Sequence, residues 1–273
     1  LLNVLEERDV QVRGYTIRLP LDVLLVATAN PDDYTNRGRI ISPLKDRFGA
    51  QVRTHYPRHF DHEIAIVHQE ATPPPSGVDV RVPRFLDEVL AELATQLRGS
   101  SQVNQRSGVS VRYTIGAHET MVAGAVRRAL RHGEATAVPR VVDLWPVVPA
   151  ALGRVEFDTL EEGNETEIVG RLLRHAILIV WRRHLGGEDF TPLLGRFEEG
   201  LEVLAGEDTS AAAVLEQFGD SVPNLHRWMT RLDVPAEDPA AAASVVEFVL
   251  EGLHLGRRLN KDLDAEAWRF SGA

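Results

Sequence analysis

The most informative stretch of the sequence is Asp22-Val-Leu-Leu-Val-Ala-Thr-Ala-Asn30-Pro, followed by Arg37-Gly-Arg39 and then by Ser42-Pro-Leu-Lys-Asp-Arg47-Phe. The apolar run predicts a buried parallel strand that presents the amide of Asn30 at its carboxyl end. Open α/β sheets form their ligand crevices at such strand ends. Arginines beyond the strand suit phosphate, because a guanidinium is a rigid, always charged fork of donors. The stretch therefore predicts an α/β core with a phosphate site at the edge of its sheet.

The residues before this strand predict a helix over 1–8 and then a small β-hairpin. Between Val10 and Leu19, apolar residues alternate with polar ones on both sides of Arg13-Gly14. A period of two about a turn is typical of two antiparallel strands.

The chain after the strand is predicted to be mainly helical. Pro57 ends the core segment, a helix is predicted over 60–70, and Ala71-Thr-Pro-Pro-Pro-Ser-Gly77 is a stiff polar connector. The further predicted helices cover 83–97, 114–132, 141–152, 167–185, 211–218, 225–232 and 240–259. We therefore predict three parts: an α/β core remnant over 1–70, a small helical bundle over 71–150 and a helical C-terminal extension over 151–273.

Composition limits the function classes. The chain has 273 residues, 44% of them hydrophobic, which suffices for two packed domains. The net charge of −10 argues against a surface that binds nucleic acid throughout, although a local basic pore stays compatible with it. Because cysteine is absent, disulfides and thiolate metal sites are excluded. The most apolar helical stretch, Ala176 to Trp181, is far shorter than the roughly 20 residues of a membrane span, so we expect a cytoplasmic protein without a membrane partner.

The sequence resembles the second half of an AAA+ ATPase module, in the branch that contains MoxR and the magnesium-chelatase I subunit. The strand that ends in Asn30 is similar to the strand with the sensor-1 asparagine, and Leu44-Lys-Asp-Arg47-Phe48 is similar to the motif with the arginine finger. The resemblance covers residues 1–143 and becomes weaker after residue 143. In this family residues 71–150 would be the lid, and the hairpin would point into the pore of a ring; an ordinary connecting hairpin is the alternative.

The resemblance implies an ATPase that uses ATP with Mg²⁺ at the interfaces of a self-assembled ring, a hexamer in this family. The ring would remodel a protein client, such as a VWA-domain protein, or insert a metal into a partner. Two other classes remain open: a non-catalytic helical adaptor, and a nucleic-acid motor or transcriptional activator. A P-loop in an upstream segment would exclude the adaptor, and salt-dependent DNA binding would favour the motor.

Roles for individual residues in the core come from the same resemblance. As sensor 1, Asn30 would hydrogen-bond the γ-phosphate and the attacking water, whereas Asn30-Pro-Asp-Asp33 by itself also fits a turn. As the arginine finger, Arg47 would act on the nucleotide of the neighbouring subunit. Arg37 and Arg39 compete with it for a phosphate contact, and a salt bridge to Asp46 is the structural alternative.

A third arginine is expected at the base of the lid. Arg112 ends the run Arg106-Ser-Gly-Val-Ser-Val-Arg112, just before a predicted helix. A guanidinium at a helix start suits phosphate, since the helix dipole already favours anions there. The resemblance assigns Arg112 the role of sensor 2, which contacts phosphate within its own subunit; Arg106 is the alternative.

The phosphate-binding loop itself is missing. The chain has only two lysines, Lys45 and Lys261, and neither belongs to a Gly-x-x-x-x-Gly-Lys-Ser/Thr loop; no apolar strand ends in Asp-Glu. We therefore interpret the chain either as the C-terminal part of a longer polypeptide or as a degenerate module that never binds nucleotide. In both cases we expect this chain alone to be inactive.

Two histidine-containing groups have structural interpretations. His55, His59 and His62 are spaced for one helix face, but Pro57 interrupts that helix and no further ligand completes a site, so we predict no metal there. Arg182-Arg183-His184 ends an amphipathic helix and is predicted to complement the helix dipole.

Overall fold

The computed structural model describes residues 9–18, 24, 26–28, 48–105, 107–158, 163–219, 222–235, 238–264 and 267–273. The chain divides into two compact units, Leu1–His55 and Tyr56–Ala273. Four of the predicted site residues, Asn30, Arg37, Arg39 and Arg47, lie outside the described residues, as does the predicted helix over 1–8.

The first unit contains the predicted hairpin. Strand β1 (Asp9–Val12) pairs with β2 (Tyr15–Arg18) in antiparallel register, with Val12 opposite Tyr15. Arg13 and Gly14 form the turn, with φ of 50° and 86°. Two-residue turns with positive φ at both positions match the right-handed twist of the strands, and glycine adopts that conformation without steric cost. The prediction of a hairpin is confirmed.

The predicted buried strand over 22–30 is wrong at the residues that the structure describes. Leu24 is 91% exposed and Val26 is 78% exposed, and neither residue 24 nor residues 26–28 belong to a strand. A buried strand needs partners for its backbone groups. Among the described residues of this unit, the hairpin strands are paired with each other and no third strand is present.

The second unit is mostly helical, with short strands between the helices. Its helices are α1 (Phe60–Glu70), α2 (Arg84–Gly99), α3 (Val111–His132), a 3₁₀ turn (Val141–Leu144), α4 (Val147–Ala151), α5 (Glu165–Leu185), α6 (Thr191–Glu198), α7 (Ala211–Glu216), α8 (Leu225–Arg231) and α9 (Pro239–Leu255). Its strands are β3 (Asp79–Val80), β4 (Thr136–Ala137), β5 (Val203–Gly206), β6 (Leu259–Asp264) and β7 (Ala267–Gly272). None of the helices in the described residues combines the length and the apolar character that a membrane crossing requires.

Most of the predicted helices are confirmed, and local sequence explains their ends. Pro83 is the N-cap of α2, where its missing N–H costs no helical hydrogen bond. The side chain of Ser110 caps α3 by accepting from the backbone N–H of Arg112. Gly133 ends α3 in the left-handed conformation, with φ of 67°.

The helix predictions fail at two places. A single helix over 141–152 is wrong: Pro146, which lacks a backbone N–H, separates the 3₁₀ turn from α4. The extension is not helical throughout, because α9 ends at Leu255 and β6 follows it. Strands β5, β7 and β6 form a three-stranded antiparallel sheet in that order. The run Leu-Asn-Lys-Asp-Leu-Asp of β6 is too polar to stand out as a strand in the sequence.

The larger of two apolar clusters in the described residues of the second unit runs from Phe85 in α2 to Phe270 in β7. It is continuous across residue 150, where we predicted a boundary. Helix α2 packs against α5, and α9 is buried on almost every face. The centroids of the Phe85 and Phe248 rings lie 4.5 Å apart, so α2 and α9 are in direct contact.

A buried network of four charged residues crosses this core: Arg128, Arg140, Asp143 and Glu247. Arg128 Nη1 lies 2.6 Å from Asp143 Oδ1, and Arg140 Nε lies 3.1 Å from Glu247 Oε1. Arg140 also donates to the backbone carbonyls of residues 206 and 209. Burial raises the pKa of Asp143 and of Glu247, and the two arginines oppose this effect. The network ties α3, the 3₁₀ turn and α9 together.

Candidate functional site

The start of α3 is the part of the predicted nucleotide site that the structure describes. Arg112 lies exposed in the first turn of this 22-residue helix, which begins at Val111 and therefore three residues earlier than predicted. The first turn contains no acidic residue. Because a helix N-terminus favours negative charge, an exposed arginine there offers a second attraction for an anion.

A buried network under the helix start holds it in place. The carboxylate of Glu63, in α1, accepts two hydrogen bonds from the guanidinium of Arg98, at 2.5 and 2.7 Å. It also accepts from Thr114 Oγ1 at 2.5 Å, while the ring of Tyr56 lies 4.6 Å from the Arg98 guanidinium carbon. Arg98 is thus neutralised by Glu63, and the network ties α1, α2 and the first turn of α3 to one another.

A second guanidinium lies one turn along the same face of α3. Gly116 follows Arg112 by four residues and therefore lies on the same side of the helix. A Cβ at Gly116 would lie 1.2 Å from Nη1 of Arg154, so the Arg154 side chain rests directly on the glycine backbone. Sequence reasoning missed Arg154, because nothing near residue 154 points to phosphate and its approach depends on the missing side chain at Gly116.

One carboxylate also lies near these arginines. Glu119 accepts a hydrogen bond from the backbone N–H of Thr72 at 2.9 Å. This hydrogen bond, aided by the charge of Arg154, lowers the pKa of Glu119. Glu119 is therefore already hydrogen-bonded to the connector that follows α1. The described residues at this helix start fit a phosphate group; they do not supply a ligand set for Mg²⁺.

The structure does not describe the other predicted site residues. Asn30, Arg37, Arg39 and Arg47 lie outside the described residues, and so does the alternative Arg106.

Glu63 and the histidines next to it contact other side chains of the protein. Glu63 points to Arg98 and Thr114, whereas the rings of His59 and His62 contact each other edge to face at 5.5 Å.

The basic end of α5 has a more specific role than predicted. Arg182, Arg183 and His184 do lie in its last turn. In addition, the buried carboxylate of Glu88 accepts from His184 at 2.7 Å and from Arg183 at 3.2 Å. Burial raises the pKa of Glu88, but the interactions with His184 and Arg183 outweigh this effect, so the pKa is lowered overall. These residues therefore fasten α5 to α2.

Comparison of the chain with protein-family models, with curated proteins and with solved structures gave no match.

Proposed function

We propose that this chain is the C-terminal part of a ring-forming AAA+ ATPase of the MoxR and magnesium-chelatase branch. The protein would couple ATP hydrolysis to the remodelling of a protein partner or to metal insertion. The proposal rests on the sequence resemblance over residues 22–48. The observation that supports it most is the exposed Arg112 at the start of a long helix whose first turn has no acidic residue.

Each named residue would have one task in this protein. When bound, ATP would supply the phosphoryl group whose transfer to water releases the energy for remodelling. Arg112 would hold phosphate within its own subunit, and the Glu63–Arg98 network would keep the start of α3 fixed behind it. Arg154 would add positive charge one helical turn away. Asn30 would orient the attacking water, and Arg47 would reach the nucleotide of the neighbouring subunit.

The experiment that tests the proposal is nucleotide binding by the longer protein with Arg112→Ala. Losing a charge-assisted hydrogen bond to phosphate removes about 1.5–3 kcal/mol, which corresponds to roughly a ten- to hundredfold weaker affinity. The titration uses a fluorescent ATP analogue.

The matched control is Arg127→Ala. Arg127 is an arginine of the same helix, 55% exposed and paired with Glu207, and its replacement is expected to leave the affinity unchanged. An Arg112→Ala protein that binds the analogue as tightly as the wild type would contradict the proposal and favour a non-catalytic assembly module.

A further inference from the structure

Three helices bring His68, Asp87 and His118 together. His68 lies in the last turn of α1, Asp87 in the first turn of α2 and His118 in the second turn of α3. His68 Nε2 lies 2.7 Å from one carboxylate oxygen of Asp87, and His118 Nδ1 lies 2.8 Å from the other. Among the described residues this is the one group of three histidine or acidic side chains whose donor atoms are close enough to share a metal ion.

The charge balance of Asp87 distinguishes it from other buried acids. Its side chain is 3% exposed, and its ionic partners are two histidines. The other buried carboxylates of the described residues each pair with an arginine or a lysine: Glu63 with Arg98, Glu88 with Arg183, Asp143 with Arg128, Glu247 with Arg140 and Glu251 with Lys261. A buried carboxylate needs a compensating cation. At Asp87 a metal ion bound by both imidazoles would supply this positive charge.

The surroundings keep the three residues in place. Helices α1 and α3 are tied together by the hydrogen bond from Thr114 to Glu63. The connector after α1 is tied to α3 by Glu119, which accepts from the backbone N–H of Thr72. His118 is 11% exposed, whereas His68 is 55% exposed. Two of the three donors are therefore fixed by the core, and the third can move.

We propose that His68, Asp87 and His118 bind one divalent transition-metal ion, and that Zn²⁺ fits them best. Zinc takes imidazole nitrogen at about 2.0 Å and carboxylate oxygen at about 2.0–2.2 Å, so tetrahedral ligand atoms lie about 3.3 Å apart. The two nitrogen–oxygen separations need to widen by about half an ångström, and all the donor atoms already lie within 4.8 Å of one another. The exposed His68 side chain allows this adjustment. Three protein ligands leave a fourth position for water, as in zinc sites with an open coordination position.

The site lies beside a groove of about 870 Å³ between the connector and α3. His118 and Glu119 form part of its wall together with Pro73, Pro74 and Val122. Water or a ligand in the groove can therefore approach the ion from the side of His118. This inference is independent of the proposed ATPase activity, because neither Arg112 nor Arg47 takes part in it.

The experiment is a calorimetric titration of the tag-free, chelator-treated chain with Zn²⁺. We expect one ion per chain with a dissociation constant on the order of micromolar or below. His68→Ala and His118→Ala are each expected to weaken binding by about a hundredfold or more, since even outer-shell changes cost 10- to 100-fold. In a parallel titration with Co²⁺, the wild type is expected to develop the visible absorption of a low-coordinate cobalt site.

The matched control is His62→Ala, because His62 is an exposed histidine of the same helix as His68. It is expected to bind Zn²⁺ as the wild type does. Circular dichroism checks that each variant is folded, and His68 is exposed enough to be replaced without disturbing the core. The proposal is overturned if the wild type shows no saturable site up to about 100 µM Zn²⁺, or if binding survives either His68→Ala or His118→Ala.

Discussion

In the ATPase proposed above, replacing Arg47 with alanine is expected to reduce ATP hydrolysis by about 10³-fold or more, as expected for the proposed arginine finger. The affinity for the nucleotide is expected to stay within about threefold of the wild type, since a residue that acts from the neighbouring subunit contributes little to binding before phosphoryl transfer. The measurement is the steady-state rate of phosphate release, together with a titration of an ATP analogue.

The control for Arg47→Ala is Arg53→Ala, an exposed arginine six residues further along the chain. It is expected to hydrolyse ATP at the wild-type rate. If Arg37→Ala or Arg39→Ala abolished hydrolysis while Arg47→Ala did not, the finger would be one of those two residues. If all three variants kept full activity, the assignment of this loop to phosphoryl transfer would be wrong.

Arg128→Ala is expected to lower the free energy of unfolding by about 3–5 kcal/mol, the usual result of removing one partner from a buried ion pair. The carboxylate of Asp143, which is 2% exposed, would then lose the guanidinium of Arg128. The carbonyl of Val138 would lose its 2.6 Å hydrogen bond from the same group. Such a loss is a large part of the 5–15 kcal/mol that typically separates folded and unfolded states. Urea denaturation of the purified chain measures it.

The neighbouring residue provides the control. Arg127 pairs with Glu207 at 2.8 Å, but both side chains are about half exposed, so Arg127→Ala is expected to cost less than about 1 kcal/mol. Equal losses for the two variants would show that the buried network is no more important for stability than a surface pair.

The helices of the second unit could be predicted because their signals are local. An apolar face with a period of 3.6, Pro83 at the start of α2 and Gly133 at the end of α3 identify these helices without knowledge of the fold. The hairpin was predictable for the same reason, since Arg13-Gly14 and the alternation around it form one continuous pattern.

The features that escaped prediction depend on residues far apart in the sequence. His68 and Asp87 are 19 residues apart, and Asp87 and His118 are 31 apart, so no spacing rule links them. Arg154 reaches α3 only because Gly116 has no side chain. Strand β6 follows α9 directly and consists mostly of polar residues, so its strand character comes from pairing with β7.

The most direct test of the proposed ring is a mixture of two impaired variants of the longer protein, Arg47→Ala and Arg112→Ala. They are assembled together, and phosphate release is measured at an ATP concentration near the wild-type KM. Where an Arg112→Ala subunit presents its intact Arg47 to the nucleotide of an Arg47→Ala subunit, both required arginines are present at one interface. We expect the mixture to hydrolyse ATP faster than either variant alone. A rate equal to the average of the two variants would contradict this expectation.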